Sequence, residues 1–581
     1  MIASSFRFAR FRLRRYPSPK HTLMALIVAG VLITSPVGVA QPPISRSPAN
    51  NPPSPTEASH NSPPLQDSFS ETDYVRNILA SALSFIAPRT LHAHSMRELA
   101  LWGLDGILTI DPALSVTTTT SPSSPGRPET FVLHARNQIL LTRPLPHDDD
   151  RMLWIDLILD VIQNSWPHSA PLRAAGSNGI ITHFFATLFH NIDPYSRYIP
   201  PQNIQQINPN KRDKDASIGL TLARHQEVSY PTISNVNVNG DAWAQGISAG
   251  QSLIAVNGHN VRRVPLATLT HWLVGPSGSP ITITVRAPSG DEQTFSLNRA
   301  YLPQETVFLS AYGPYPILRI TQFSDHTADE VSQYISALTD NNDVSDQEGD
   351  PPSSSTQKHL PGLILDLRGN HGGVLQQAVV TAALLLNQGV ITTTEGRYRA
   401  ANHIWAIQGG DLTDNAPLAI LVDGQTASAS EVLASALADH HRAVIIGSST
   451  YGKGLVQIAG ELPNQGRILV SWGRNIAPLG WPIQTLGLFP QVCMTRPNLT
   501  AQISTLEHGR SLEQDALYQA RSQRTPLSAY KASAIRAQCP ARNGTESDIS
   551  AAAQLLTSQA AYQAAVQSVP VDLPYPPAPH F

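Results

Sequence analysis

The chain has 581 residues, with 40 Lys and Arg against 43 Asp and Glu and a formal charge of -3. At about 150 residues per domain, this length suggests about three or four domains. A charged fraction of 14%, well under the quarter typical of soluble domains, argues against a dense nucleic-acid-binding surface and against a coiled coil. Two cysteines exclude a disulfide-rich scaffold and a cysteine-based zinc site.

Arg7, Arg10, Arg12, Arg14, Arg15 and Lys20 precede an apolar run from Leu23 to Ile33, which leads into Ser35, Pro36 and Gly38-Val39-Ala40. That order is the pattern of a secretory signal peptide over residues 1–40. A spanning helix needs about 20 apolar residues, and this run reaches that length only by counting across Pro36, so an uncleaved anchor is the weaker reading. Export would place Cys493 and Cys539 in an oxidising space, where one bridge is one reading and two separate thiols the other; sequence does not give their separation in space.

Residues 41–73 are a Pro/Ser/Asn tract without periodicity, expected to be a disordered linker. Residues 74–204 read as a helical region, with strongly apolar stretches at Leu153–Leu159 and through Ile180, Phe184, Phe185, Leu188 and Phe189, and a polar loop near Thr117–Arg127. Two segments, 103–115 and 186–198, echo each other in ending a helix with Ile-Asp-Pro. Residues 205–300 alternate like strands at Ser217–Leu222, Thr232–Val236, Ser252–Val256 and Ile281–Val285 around a short helix at Pro265–Val274, which makes a compact β-rich module. An acidic and polar loop occupies 341–359. Within 301–500 strand and helix alternate: Gly362–Leu367, Leu375–Leu386, Leu418–Val422, Glu431–His440 and Ala443–Gly447. This alternation predicts an α/β layer with mainly parallel pairing. The tail, 501–581, is Ala/Gln-rich and helical, notably at Ile549–Gln567.

Ser428 follows the buried strand and the Asp423-Gly424 turn, where a helix begins and backbone N–H groups are unpaired. Ser428 and Glu431 also fit a capping box, the plainer reading of Ser-x-x-Glu. Lys453 lies between two glycines after the next buried strand; by itself it could be a surface cation or could point back at the serine.

Together, Ser-Ala-Ser-Glu at 428–431, its helix and strand, and Gly-Lys-Gly-Leu-Val-Gln at 452–457 resemble the C-terminal processing (tail-specific) serine proteases. The resemblance places the nucleophile on Ser428, the general-base lysine on Lys453 and a lysine-supporting glutamine on Gln457. Asp366-Leu367-Arg368-Gly369-Asn370-His371-Gly372-Gly373 resembles the family's oxyanion segment, with Ala429 and either Gly372 or Gly373 as donors. Residues 191–199 look like the family's segment before its PDZ domain. The module at 205–300 is similar to that PDZ domain, with Ile218, Gly219 and Leu220 as the loop that captures a peptide carboxylate. Asp439, aligned with an acid implicated in some members, reads better as a surface acid, as do His440 and His441 as surface residues. The sequence departs from the family pattern at Ser448, Tyr451, Ser471–Asn475 and Gly487–Gln491.

The resemblance implies an α/β protease core of mixed sheet and flanking helices (ClpP/crotonase-like) over 301–500, with an inserted PDZ domain and helical N- and C-terminal extensions. It implies an exported, periplasmic serine endopeptidase without cofactor or metal, acting on polypeptide tails, with room for an adaptor protein and for homo-oligomers. The competing reading is a PDZ-containing peptide-binding scaffold that has lost catalysis. The chemistry has a clear demand: an exposed lysine, with pKa about 10.4, cannot accept a proton at neutral pH. A useful base needs a value near 7–8, a shift of about 3 units or roughly 4 kcal/mol. Burial among Val444–Ile446, Leu455 and Val456 is the expected cause, because desolvation disfavours the ammonium.

Overall fold

The computed structural model describes residues 68–119, 129–203, 216–224, 229–339 and 359–571. The signal peptide, all but the end of the linker, the centre of the polar loop near 117–127 and nearly all of the acidic loop at 341–359 lie outside the described residues.

The centre of the molecule is a six-stranded sheet in the order Val307–Tyr312, Tyr315–Ile320, Leu363–Asp366, Leu418–Val422, Ala443–Gly447 and Val492–Cys493. The first pair is antiparallel and every later neighbour is parallel. Its inner strands are apolar along most of their length because both faces are covered, as parallel sheets require; Arg319 and Asp366, which pair with each other, are the charged exceptions. Leu363, Leu365, Ile420, Val422 and Ile445 face one core with the helices Leu375–Ala383 and Ala429–Asp439. The alternate residues, Ile364, Ala419, Leu421, Val444 and Ile446, face a second core built from the tail helices Glu546–Thr557 and Gln559–Gln567. Each such fully buried Leu, Ile or Val side chain is worth about 1.5–3 kcal/mol, so the helices Leu499–Glu507, Glu546–Thr557 and Gln559–Gln567 form the second cover of the central sheet, while Gln514–Arg521 and Ala529–Arg536 pack into the first core.

A second, antiparallel sheet joins Gln388–Glu395, His403–Gln408, Leu455–Glu461 and Arg467–Ile476, with the short strand Arg197–Ile199 on its edge. The N-terminal region rests on it: Leu462, Ile468 and Val470 belong to the core formed by the helices Thr72–Arg89, Met96–Leu108, Arg151–Ser165 and Ala170–Ile192. The expectation of a helical region over 74–204 needs amending, because a three-stranded antiparallel sheet spans Leu114–Thr119, Thr130–Ala135 and Gln138–Pro144. Phe131 and Leu133 alternate inward there, a two-residue period that the stronger helical patterns on either side obscure. The repeated Ile-Asp-Pro is turn chemistry in both copies: the Asp111 and Asp193 carboxylates each take backbone N–H groups two residues on.

The β-rich module is a six-stranded antiparallel sheet with the path Glu292–Asn298, Pro280–Arg286, Ser252–Val256, Thr232–Val236 and Leu220–Ala223, closed by the helix Leu266–Leu273. Leu220–Ala223 is the end strand of that path. Gly219 precedes it at φ +84°, packed so closely that a Cβ would lie 3.0 Å from Asn237 Cβ. The module meets the central sheet's flank where the Trp243 ring packs edge-on against Tyr334 at 5.2 Å.

Candidate active site

The turn after Leu418–Val422 is fixed by Asp423, whose Oδ1 accepts the N–H groups of Gly369, Gln425 and Thr426, each at 3.0 Å. The Thr426 hydroxyl donates to the Leu367 carbonyl at 2.9 Å, joining this turn to the glycine segment. Ser428 then adopts φ 61° and ψ −120°, a conformation that costs a non-glycine residue about 1–3 kcal/mol. It is half-buried and sits directly before the helix Ala429–Asp439. Ser428 and Glu431 adopt capping-box geometry in which the closed hydrogen bond is the carboxylate's: Ser428 N–H donates to Glu431 Oε2 at 2.9 Å, and the hydroxyl makes no cap hydrogen bond.

Gly372 lies against this turn. A Cβ on it would fall 2.7 Å from Ser428 Cβ and 2.9 Å from the Ala429 nitrogen, and its φ is +92°; only glycine fits. Its N–H donates to Asn370 Oδ1 at 2.8 Å. The N–H groups of Gly373, which is exposed, and of Ala429 have no acceptor among the described residues. The geometry therefore separates the two glycines that the sequence could not distinguish: Gly372 supplies shape, and Gly373 has the open donor.

Glu431 is fully buried and gathers four donors. Oε2 takes Ser428 N–H and Lys453 N–H, both at 2.9 Å, while Oε1 takes Gly452 N–H at 2.7 Å and the Thr450 hydroxyl. One carboxylate oxygen thus holds the serine turn and the lysine loop within two hydrogen-bond lengths of each other. Burial pushes the Glu431 carboxyl up from its ordinary range, and the four donors oppose that rise. The Lys453 side chain is half-buried. Desolvation pushes its ammonium below the usual lysine value, the nearby Arg197 lowers it further, and Glu431 pulls the other way.

Gln457 does not reach the lysine amine through any hydrogen bond. Its Nε2 donates to the Tyr195 carbonyl at 2.8 Å. Tyr195 in turn presents its ring to Lys453, with Nζ 5.5 Å from the centroid. The segment 193–197 is locked in place: Asp193 Oδ1 takes the N–H groups of Tyr195 and Ser196 at 2.8 Å and the Ser471 hydroxyl at 3.0 Å, and Ser471 N–H donates to Ser196 Oγ at 2.9 Å. Tyr195 and Arg197, which the sequence supplies only as part of a landmark motif, are therefore the lysine's neighbours, more than 250 residues away along the chain. Only the charged and aromatic character of that Pro-Tyr-Ser-Arg stretch hinted at it.

Asp439 is not a surface acid. It is buried and accepts from Arg521 Nε at 2.9 Å and Trp481 Nε1 at 2.8 Å. His440 and His441 are half-buried, bonded to the Val390 and Val569 carbonyls. Cys493 and Cys539 are joined by a disulfide, with Cα atoms 5.9 Å apart. Ile218 is fully buried in the module's core, and Gly219 N–H turns back to Ser217 Oγ at 3.3 Å. Among the described residues no group of three or more His, Cys, Asp or Glu is placed to hold a metal ion.

Residues 315–494 match the model of peptidase family S41, and residues 206–286 match the PDZ domain. A carboxyl-terminal-processing protease of Picosynechococcus sp. is 31% identical over 306 residues, covering 51% of this chain and 69% of that protein. A carboxy-terminal-processing protease of Bartonella bacilliformis is 29% identical over 308 residues, covering 53% and 68%. A chloroplastic C-terminal processing peptidase of Tetradesmus obliquus is 26% identical over 312 residues, covering 52% and 64%. With a strained serine at a helix start, a half-buried lysine tied to the same carboxylate, and these matches across the central sheet and the β-rich module, the chain belongs to the carboxyl-terminal-processing protease family of serine peptidases.

Proposed function

We propose that this protein is an exported endopeptidase that hydrolyses unstructured polypeptides near their C-terminal tails through a Ser428–Lys453 dyad. The observation that carries this reading is the shared acceptor: Glu431 Oε2 holds the backbone N–H of both residues. A serine hydroxyl needs a base, and burial together with Arg197 moves Lys453 toward the neutral amine that a base requires. In the step that follows, Lys453 takes the proton as Ser428 Oγ attacks the peptide carbonyl. The Ala429 and Gly373 N–H groups stabilise the oxyanion, and Lys453 returns the proton to the leaving amine, leaving an acyl-enzyme for water. Loss of one such donor typically costs about 3–4 kcal/mol. Gln457 acts by holding Tyr195 against the lysine. The core is of the ClpP/crotonase-like kind, and the domain limits are those expected from the sequence, except that the tail helices belong to the core.

The module at 205–300 receives the substrate's tail by strand addition along Leu220–Ala223, the end strand of its sheet path, with its carboxylate at the Ile218–Leu220 turn. The N-terminal signal directs export, to the periplasm in a bacterial cell; among the described residues no helix is long and apolar enough to cross a membrane. The test is cleavage of a denatured protein by the purified chain. Ser428→Ala and Lys453→Ala are each expected to abolish it while the folded protein's melting profile persists. Cleavage surviving in either variant overturns the mechanism, and a wild-type chain that binds tails without cleaving them establishes a scaffold instead.

A further inference from the structure

Beside the lysine loop lies a cavity of about 520 Å³, lined on one side by Tyr195, Tyr451 and Gly452 and on the other by Ala532, Ser533 and Arg536. The second wall is the helix Ala529–Arg536, which lies inside the segment closed by the Cys493–Cys539 bridge and outside the S41 match. Tyr195 is the residue whose ring faces Lys453 Nζ, so the cavity adjoins the chemistry. Tyr451, at 54% exposed, is a large aromatic left open to solvent.

Arg536 sets the cavity's electrostatic character. Its Nη1 donates to the Leu486 carbonyl at 2.8 Å, and among the described residues no carboxylate is within ion-pair distance of it. It is seated against Gly487, where a Cβ would lie 2.8 Å from Nη1 and where φ is +67°. A partly buried guanidinium keeps full charge and forked donors, suited to a planar carboxylate. Burial pushes it below its ordinary value, and Glu431 is the charge that offsets this.

We propose that this cavity is a substrate subsite for a carboxylate-bearing peptide group, held by Arg536 against the wall formed by Tyr195 and Tyr451. The proposal deepens the protease reading and rests on it. Two sources supply that chemistry: an Asp or Glu side chain close to the scissile bond, or the free carboxylate of a short C-terminal product segment.

The experiment compares kcat/KM for one unstructured peptide in three forms, carrying Glu near the cleaved bond, carrying Gln there, and carrying Gln with an amidated C-terminus. The wild-type chain should prefer an acidic form over its neutral counterpart by about tenfold or more, the range of a charge-assisted hydrogen bond. A gain of Glu over Gln assigns the side chain; a loss on amidation that disappears in Arg536→Gln assigns the terminus, whereas a loss that persists in that variant belongs to the module at 205–300. Arg536→Gln should erase the preference, Arg536→Lys should restore part of it, and Ser533→Glu, at an exposed position on the same wall, should reverse its sign without disturbing the fold. No acid preference in the wild type, or a preference untouched by Arg536→Gln and Ser533→Glu, overturns the subsite. Cleavage of the neutral peptide by the wild type but not by Ser428→Ala keeps the protease reading standing in that event, so the two failures are distinct.

Discussion

Glu431 is the residue through which the two halves of the site are joined, and its replacement has a cost that can be worked out donor by donor. In Glu431→Gln one oxygen becomes an amide nitrogen. Turned toward Ser428 and Lys453, that nitrogen would face two backbone N–H groups that cannot reorient. Turned the other way it meets Gly452 N–H and the Thr450 hydroxyl, and the hydroxyl can rotate to accept even though it already takes Leu488 N–H at 2.8 Å. The second orientation is cheaper and strands one buried donor, at a cost of about 1–3 kcal/mol. Glu431→Ala strands all three backbone N–H groups at a position with no solvent access, so its cost is about 3–9 kcal/mol by the same rule, in the exceptional range for a single substitution. Urea denaturation supplies the stability difference and hydrolysis of an unstructured protein the activity. The expected order is wild type, then Gln with a modest loss in both, then Ala with loss of activity and of several kcal/mol. An alanine variant with wild-type kcat/KM and wild-type stability would refute the claim that this carboxylate builds the site.

Other consequences can be measured independently. Arg197 lowers the lysine's proton affinity, so Arg197→Gln should raise it; because the free amine is the active form, the rising limb of the kcat/KM–pH profile should move to higher pH, and an unmoved limb counts against Lys453 as the base. The bridge between Cys493 and Cys539 closes a separation of 46 residues, so Cys493→Ser with Cys539→Ser should lower stability by about 4 kcal/mol at most on the chain-entropy argument, seen as a lower urea midpoint; an unchanged midpoint excludes a stabilising role. Glu305, in the connection between module and core, has its carboxyl pushed up to about 7 by burial and by Glu330. The native state therefore holds this proton where the unfolded chain has lost it, stability from this group is full below about pH 4.5 and falls as pH rises toward 7, and Glu305→Gln should flatten that slope in urea titrations.

The strands Leu363–Asp366, Leu418–Val422 and Ala443–Gly447 are legible because a sheet covered on both faces demands apolar residues pointing both ways, and their runs are broken only at the ends, by Asp366 and Gly447. The Ser428 and Lys453 loops were legible because small residues and glycines mark places where the backbone must turn tightly. What stayed hidden depended on partners distant in the chain. Asp439 looks like a solvated helix end until Arg521 and Trp481 close over it. Ser-x-x-Glu announces a cap, but nothing local reveals that Glu431 also takes Gly452 and Lys453. The family resemblance sets Gln457 on the amine, whereas its register on a bulged strand turns it to the Tyr195 carbonyl. The choice between Gly372 and Gly373 turned on Asn370, whose side chain occupies one of the two donors.

Catalysis by this protein rests on Ser428 being activated by a neutral Lys453. Its most direct test is the rate at which a fluorophosphonate phosphonylates the protein, with loss of fluoride, as a function of pH, read by intact mass and peptide mapping. The predicted result is a single adduct on Ser428 whose rate rises through an ionisation well below that of an ordinary lysine and is lost in Lys453→Ala. An adduct elsewhere, or a rate that follows an ordinary lysine ionisation or persists without the amine, would contradict it.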